Sequence, residues 1–226
     1  MRIRWQNELA HLALIAAMFA LAEATWSSAP RQIPVHWNAY GAVDRYGGRF
    51  EGLLLLPLLA LAIYGLFHVV PKLDPGRANY EQFASTYSRL RIAVTLLLAA
   101  VYALLQLTIH GYAVNMGMIV PLLVGWLFIV IGNLLGKVRP NWAVGIRTPW
   151  TLSSKTSWDK THRVGGRLFI VAGFLMMLTG VLGPPWNLYL GVAIAPFLVV
   201  TNFGYSYWVW RNASDKVPPA GTLPAS

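Results

Sequence analysis

The side chains able to do chemistry fall in two polar stretches. Residues 34–48 read PVHWNAYGAVDRYGG. His36 and Asp44 in this stretch are the types for a metal pair or, with Ser27 or Ser28, for a hydrolytic relay. Neither reading goes far. Two ligand types with no repeated spacing make a poor metal site, and neither serine sits in a nucleophile-elbow string. Residues 141–166 read NWAVGIRTPWTLSSKTSWDKTHRVGG. Arg147, His162 and Asn141 there are types that would surround an anionic headgroup. Asp159 precedes Arg163 at i,i+4, the spacing of a helical ion pair, and His162 beside them could respond to pH near neutrality.

What must position these residues is a set of apolar runs of roughly 20 residues each, the length that crosses a bilayer as helix. They cover residues 9–26, 52–70, 92–112, 116–135, 167–183 and 187–209. The first could be a signal peptide, since Ala22-Glu23-Ala24 fits a small-x-small cleavage site, but its length favours an uncleaved anchor. Pro71 predicts the end of the second. Between the second and third, residues 79–90 predict a short surface helix with Tyr80, Phe83, Tyr87 and Leu90 on one face, resting on the bilayer or on neighbouring spans. Ser154 is a candidate N-cap from which the fifth helix could start early. The expected organisation is a two-span unit over 1–70 with its polar loop at 27–51, a connector over 71–91, a four-span unit over 92–210 with its polar loop at 136–166, and a disordered tail over 211–226.

Composition agrees. Of 226 residues, 56% are hydrophobic and 12% charged, where a soluble domain carries about 25% charged residues. Cysteine is absent, which excludes disulfides, thiolate metal sites and cysteine nucleophiles. The net charge of +10 is unevenly placed. Of the 18 Lys and Arg, only Arg31, Arg45 and Arg49 lie on the side of the first polar loop. The positive-inside rule therefore predicts that this loop faces outward, and that the second loop and both termini are cytoplasmic. The expected fold class is an all-α integral membrane protein of six transmembrane helices, with one extracytoplasmic loop domain and one basic cytoplasmic loop.

The outer loop, rich in turn residues and amphipathic rings, reads either as a recognition surface built on His36, Trp37, Asn38, Asp44 and Tyr46 or as an interfacial cap over the helix ends. The inner loop reads as an electrostatic anchor on anionic lipid or as a docking site for a cytoplasmic protein, using Asn141, Arg147, Pro149, Trp150, Thr151, Trp158 and His162. Direct nucleic-acid binding ranks behind both, because those basic residues already face anionic headgroups. Trp142, Trp150 and Trp158 could each anchor at the lipid interface. Within the spans, Gln106 could bond a neighbouring helix, and the small residues Ala99, Ala103, Gly173 and Gly180 would allow close helix approach. Ionisable residues are sparse near the midplane, which argues against ion coupling. No cofactor is implied.

Two strings carry a resemblance. IPVHWNAYGAVDRYGGRF resembles a small bacterial domain of unknown function, and GNLLGKVRPNWAVGIRTPWTLSSKTSWDKTHRVGGRLFIVAGF resembles the SdpI family of bacterial membrane proteins. The matching outer residues are His36, Asn38, Gly41, Asp44, Tyr46 and Gly47. The inner ones are Asn133, Pro140, Asn141, Gly145, Arg147, Pro149, Trp150, Thr151, Trp158, Thr161, His162 and Gly166. Gly136 stands where many relatives have proline. The resemblance implies a non-enzymatic immunity or signalling protein of the bacterial inner membrane. Such a protein would bind a secreted antibacterial peptide toxin and recruit a cytoplasmic transcriptional repressor to the bilayer. The alternative is a membrane enzyme or transporter acting on a lipid or cell-wall intermediate.

Overall fold

Each apolar run folds as a helix because a chain in hydrocarbon must satisfy its backbone polar groups internally. The computed structural model describes residues 5–217. In chain order these form α1 (Trp5–Trp26), β1 (Ile33–Trp37), β2 (Val43–Gly47), α2 (Leu55–Leu73), α3 (Ala84–Ile109), α4 (Met116–Leu135), the single turn α5 (Pro149–Leu152), α6 (Lys155–Leu182) and α7 (Trp186–Arg211). Six helical segments among the described residues are long and apolar enough to cross a membrane. Together they make an all-α, multi-pass membrane fold carrying one small hairpin. Helices alternate in direction, so β1–β2 sits at one end of the bundle and the polar loop of residues 136–154 at the other. We call these the hairpin end and the basic end.

α4 and α6 form the tightest seam. A Cβ built on Gly132 would lie 2.5 Å from the Gly166 carbonyl oxygen, and one on Gly125 would lie 2.5 Å from that of Gly173. One on Gly180 would lie 2.5 Å from the Met118 carbonyl oxygen. The glycines recur every seven residues, so they stay on one face of each helix, and the two antiparallel backbones touch directly. Gly173 and Gly180, read as close-approach residues, do meet the neighbouring helix this way.

α1, α2 and α3 form a second unit around Ile15, Met18, Ala22, Leu53, Ala60, Tyr102 and Leu105. Gln106 does bond across helices. Thr25 of α1 donates to its Oε1 at 3.1 Å, and its amide donates to the Tyr102 hydroxyl at 2.6 Å. Tyr102 in turn donates to the Leu53 carbonyl at 3.0 Å.

Two boundaries differ from expectation. α2 runs two residues past Pro71, since a proline in the last turn loses only one bond. α3 begins at Ala84 rather than residue 92, entered through a 3-10 segment, Arg77–Phe83. The predicted surface helix is therefore the start of α3. Of the two settings expected for its apolar face, the structure shows the neighbouring span and not the bilayer: Tyr80, Phe83 and Tyr87 are buried against Val138 and against Trp158 of α6. α6 does start at the Ser154 cap, whose side chain accepts from the Ser157 amide at 3.0 Å. The tail expected over 211–226 lies beyond residue 217 outside the described residues. Within the described part, Asp215 accepts from the Ser154 hydroxyl at 2.6 Å and the Thr156 amide at 2.8 Å, fastening the chain to the start of α6.

Candidate functional site

The hairpin is anchored by its own sequence. Ile33 is fully buried and presses on Gly52, where a Cβ would come within 2.7 Å of its side chain. Arg49 donates to the Ala29 carbonyl at 2.7 Å. At the tip, Asn38 Oδ1 accepts from the amides of Tyr40 at 2.9 Å and Ala42 at 3.1 Å, an Asx-type turn. Gly41 at φ 76° closes that turn, in the left-handed region that suits glycine. The tip then lies on two helix starts. A Cβ on Gly117 of α4 would come 3.1 Å from the Gly41 Cα, and Asn187 of α7 donates to the Ala39 carbonyl at 2.5 Å.

Beneath the hairpin lies a cavity of about 590 Å³, within the usual range for ligand pockets, about 300–1,000 Å³. Its walls are Val35 and Trp37 with Leu55, Leu56, Val101, Leu105, Met116, Val120, Pro121, Met176, Leu188 and Val192. The polar lining consists of His36, Asn38, Arg45, Glu51, Thr179 and Asn187. Its charges are matched in pairs: His36 Nδ1 donates to Asp44 at 2.5 Å, and Arg45 donates to Glu51 at 2.5 Å. An apolar chamber with a charge-balanced mouth suits a largely uncharged, apolar guest.

Of the outer residues singled out from sequence, His36, Trp37 and Asn38 line this cavity. Asp44 acts through His36, and Tyr46 is exposed outside the lining. Arg45, Glu51, Met176, Thr179 and Asn187 were not anticipated. Arg45 sits inside the quoted motif and was available to pattern reading. Asn187 and Met176 come from distant helices and carried no local signal.

At the basic end the loop is mostly internal scaffolding. Asn141 is buried, with its Oδ1 accepting from the amides of Ala143 and Val144 and its amide donating to the carbonyls of Arg139 and Val144. Thr148 and Thr151 form a reciprocal cap on α5, and Thr148 also donates to Ser206 of α7 at 2.9 Å. Trp158 is fully buried, not at the lipid interface. It stacks on His162 with ring centroids 4.0 Å apart, and its indole donates to the Val138 carbonyl at 2.9 Å. Trp150 packs on Phe203 and Tyr207 of α7. Trp142, Arg147 and Pro149 in this loop remain exposed, as does the motif residue Asn133 on α4.

His162 is not placed as a surface pH sensor. Its Nδ1 donates to the Trp158 carbonyl at 2.8 Å, and its Nε2 accepts from the Ile146 amide at 3.0 Å. Those partners assign the neutral Nδ1–H tautomer. Asp159 pairs with Lys155 at 2.6 Å rather than with Arg163, using the i−4 neighbour on the same helix face. Gly145, at φ 114°, brings the backbone so near His162 that a Cβ would lie 2.3 Å from Nε2.

A third polar group lies where none was expected. Near the basic end of α1–α3, Arg91 grips Glu8 with two bonds, of 3.0 and 2.6 Å. His68 Nε2 lies 3.1 Å from the Arg91 guanidinium and 3.2 Å from the Glu8 carboxylate. His11 Nδ1 lies 2.9 Å from the Thr95 hydroxyl. Glu8 and Arg91 are both nearly fully buried. Each lies just beyond the apolar core of its run and so read as an ordinary flanking charge.

The fold, with its polar loops at opposite ends, is that of a multi-pass bacterial membrane protein, and part of its sequence is similar to the SdpI family. Residues 137–204 match the model of the SdpI/YfhL protein family, and residues 13–61 match a domain of unknown function, DUF1648. The first match holds the basic-end loop, α6 and most of α7. The second holds most of α1, the hairpin and the start of α2. The chain is also 26% identical over 187 residues to the immunity protein SdpI of Bacillus subtilis strain 168, covering 82% of this chain and 87% of that one. No solved structure matches.

Proposed function

We propose that this chain is an SdpI-like membrane immunity protein, and that its cavity beneath the hairpin receives a secreted antibacterial peptide toxin. The observation that carries this reading is the cavity itself. It is apolar within, balanced in charge at its mouth, and walled by the hairpin together with five long apolar helices, α2, α3, α4, α6 and α7. The similarity to a protein named for immunity supports the same reading. The positive-inside asymmetry of the charges supports a hairpin end outside the cell, where such a toxin arrives. The basic end then faces the cytoplasm, with exposed Trp142, Arg147 and Pro149 available to anionic lipid or to a cytoplasmic repressor. No catalytic step is proposed.

The experiment is survival. The protein is expressed in a toxin-sensitive bacterium and challenged with a panel of secreted peptide toxins, beside His36→Ala and Arg147→Ala. Protection that His36→Ala loses at unchanged membrane level supports the outer site. Protection against a panel toxin that depends on neither loop would remove the hairpin and the basic loop from the function.

A further inference from the structure

The cavity beneath the hairpin is open on one side. Its helical walls follow one another as α2, α3, α4, α6 and α7. Each successive pair is packed together, α2 on α3, α3 on α4, α4 on α6 and α6 on α7. Among the described residues no comparable seam joins α7 back to α2. The residues flanking that gap show where it leads. Leu55 of α2 and Leu188 and Val192 of α7 line the cavity, yet each is exposed. Leu55 begins an exposed stripe that continues through Leu59, Leu66 and Leu73 down α2. Leu188 and Val192 begin another that continues through Val199 and Phe203 down α7. Steps of four and seven residues keep each stripe on one face of its helix. Both helices are long and apolar enough to cross a membrane, so their exposed apolar faces meet lipid. The cavity lining and the lipid-facing surface are one continuous apolar surface.

The interior narrows the class of guest. Polar groups on the helical walls are already spent. Thr179 donates to the Met176 carbonyl at 2.7 Å. Asn187 donates to the Ala39 carbonyl at 2.5 Å and accepts from the Leu188 amide at 2.7 Å. Polar groups of a guest would lie unpaired against these walls, which is unfavourable, whereas a hydrocarbon chain brings none. At the mouth both signs of charge are present, Arg45 beside Glu51 and Asp44 beside His36. That pattern complements a headgroup which itself carries both signs. We propose that the cavity takes one acyl chain of a zwitterionic phospholipid from the leaflet at the hairpin end, admitted sideways between α2 and α7. The chain lies against Leu105, Val120 and Met176, and the headgroup stays at the hairpin beside Arg45, Glu51 and Asp44. This goes beyond the toxin reading and does not depend on it. A peptide toxin received in the same chamber displaces the chain, with its own backbone bonds closed internally, as in a helix.

The test uses the full chain in nanodiscs of phosphatidylethanolamine and phosphatidylglycerol. A trace of phosphatidylethanolamine with a diazirine in one acyl chain is added, illuminated, and its adducts mapped by mass spectrometry. Leu105 and Thr179 line the cavity and are buried from the outer surface, so adducts there report a chain inside it. Adducts at Leu66, Val199 and Phe203 report lipid around the protein. The expected result is labelling at Leu105 and Thr179 that falls at least fivefold in Gly191→Trp and holds in Gly204→Trp. Phosphatidylglycerol carrying the same diazirine should label those two positions at least threefold less. Adducts confined to the outer stripes in the unaltered chain overturn the proposal, whatever the variants do. Wall labelling that persists in Gly191→Trp overturns it too, as does equal wall labelling by the two lipids. Survival is measured separately. A chain that protects cells without wall labelling keeps the immunity reading and loses the lipid site. One with wall labelling that protects against no toxin keeps the lipid site.

Discussion

Asn187 donates to the Ala39 carbonyl across 148 residues of sequence. The bond joins the tip of the hairpin, in the segment matching DUF1648, to the first turn of α7, in the segment matching SdpI/YfhL. Neither segment alone encloses the cavity, and this contact is one place where they close over it. Asn187→Ala should release the hairpin tip at a cost of about 1 kcal/mol, the usual net worth of one such bond. Amide exchange at Gly41 and Ala42 should rise severalfold, with the helices unaffected.

The α4–α6 seam leaves no room for a methyl group. Gly132→Ala or Gly125→Ala would drive a Cβ against a backbone carbonyl, and overpacking of this kind costs about 1–3 kcal/mol. Each should lower the melting temperature of the purified protein. Gly204→Ala, where a Cβ meets nothing within 4 Å, should leave it unchanged or slightly raised.

The buried Glu8–Arg91 pair predicts a strong asymmetry. Glu8→Ala or Arg91→Ala strands the opposite charge inside the α1–α3 unit, at a cost of about 3–5 kcal/mol. The double substitution Glu8→Leu with Arg91→Met removes both charges and should recover most of that loss. Thermal unfolding of the three variants in one detergent measures it. A double variant no more stable than the singles would contradict a simple pair.

Asp215 gives a pH dependence of known sign. The Ser154 hydroxyl, the largest effect, holds its carboxyl below the usual range with help from the Thr156 amide, against the opposing effect of burial. A depressed folded value means its contribution is full above the unfolded value, near 3.9, and disappears as pH falls through the lower folded one. The carboxylate is largely solvent-exposed, so the effect on global stability is small. Exchange at the Thr156 amide is the sensitive readout. It should quicken below about pH 4 and be fast at every pH in Asp215→Ala.

Much of the fold was legible because bilayer thickness forces a run of apolar residues for each span. Ser154 was legible for a local reason, as a cap residue directly before a helix. The start of α3 was not. Tyr80, Phe83 and Tyr87 present one helical face, and periodicity alone does not tell lipid from a buried tryptophan 70 to 80 residues away. Glu8 and Arg91 escaped because each is ordinary at the end of an apolar run, and only the packing of α1 on α3 makes them partners. The site was half visible. His36, Trp37 and Asn38 stood out by type, whereas Asn187, Met176 and Thr179 join them only through tertiary closure.

The most direct measurement fills the cavity. Gly191 lines it, and a Cβ there meets nothing within 4 Å, as is also true of Gly204 outside the lining. Gly191→Trp should therefore occupy the chamber without disturbing helix packing, while Gly204→Trp adds the same bulk elsewhere. Survival against a toxin that the unaltered chain resists should fall with Gly191→Trp and hold with Gly204→Trp, at equal membrane levels. Full protection by both variants would contradict a toxin site in the cavity beneath the hairpin.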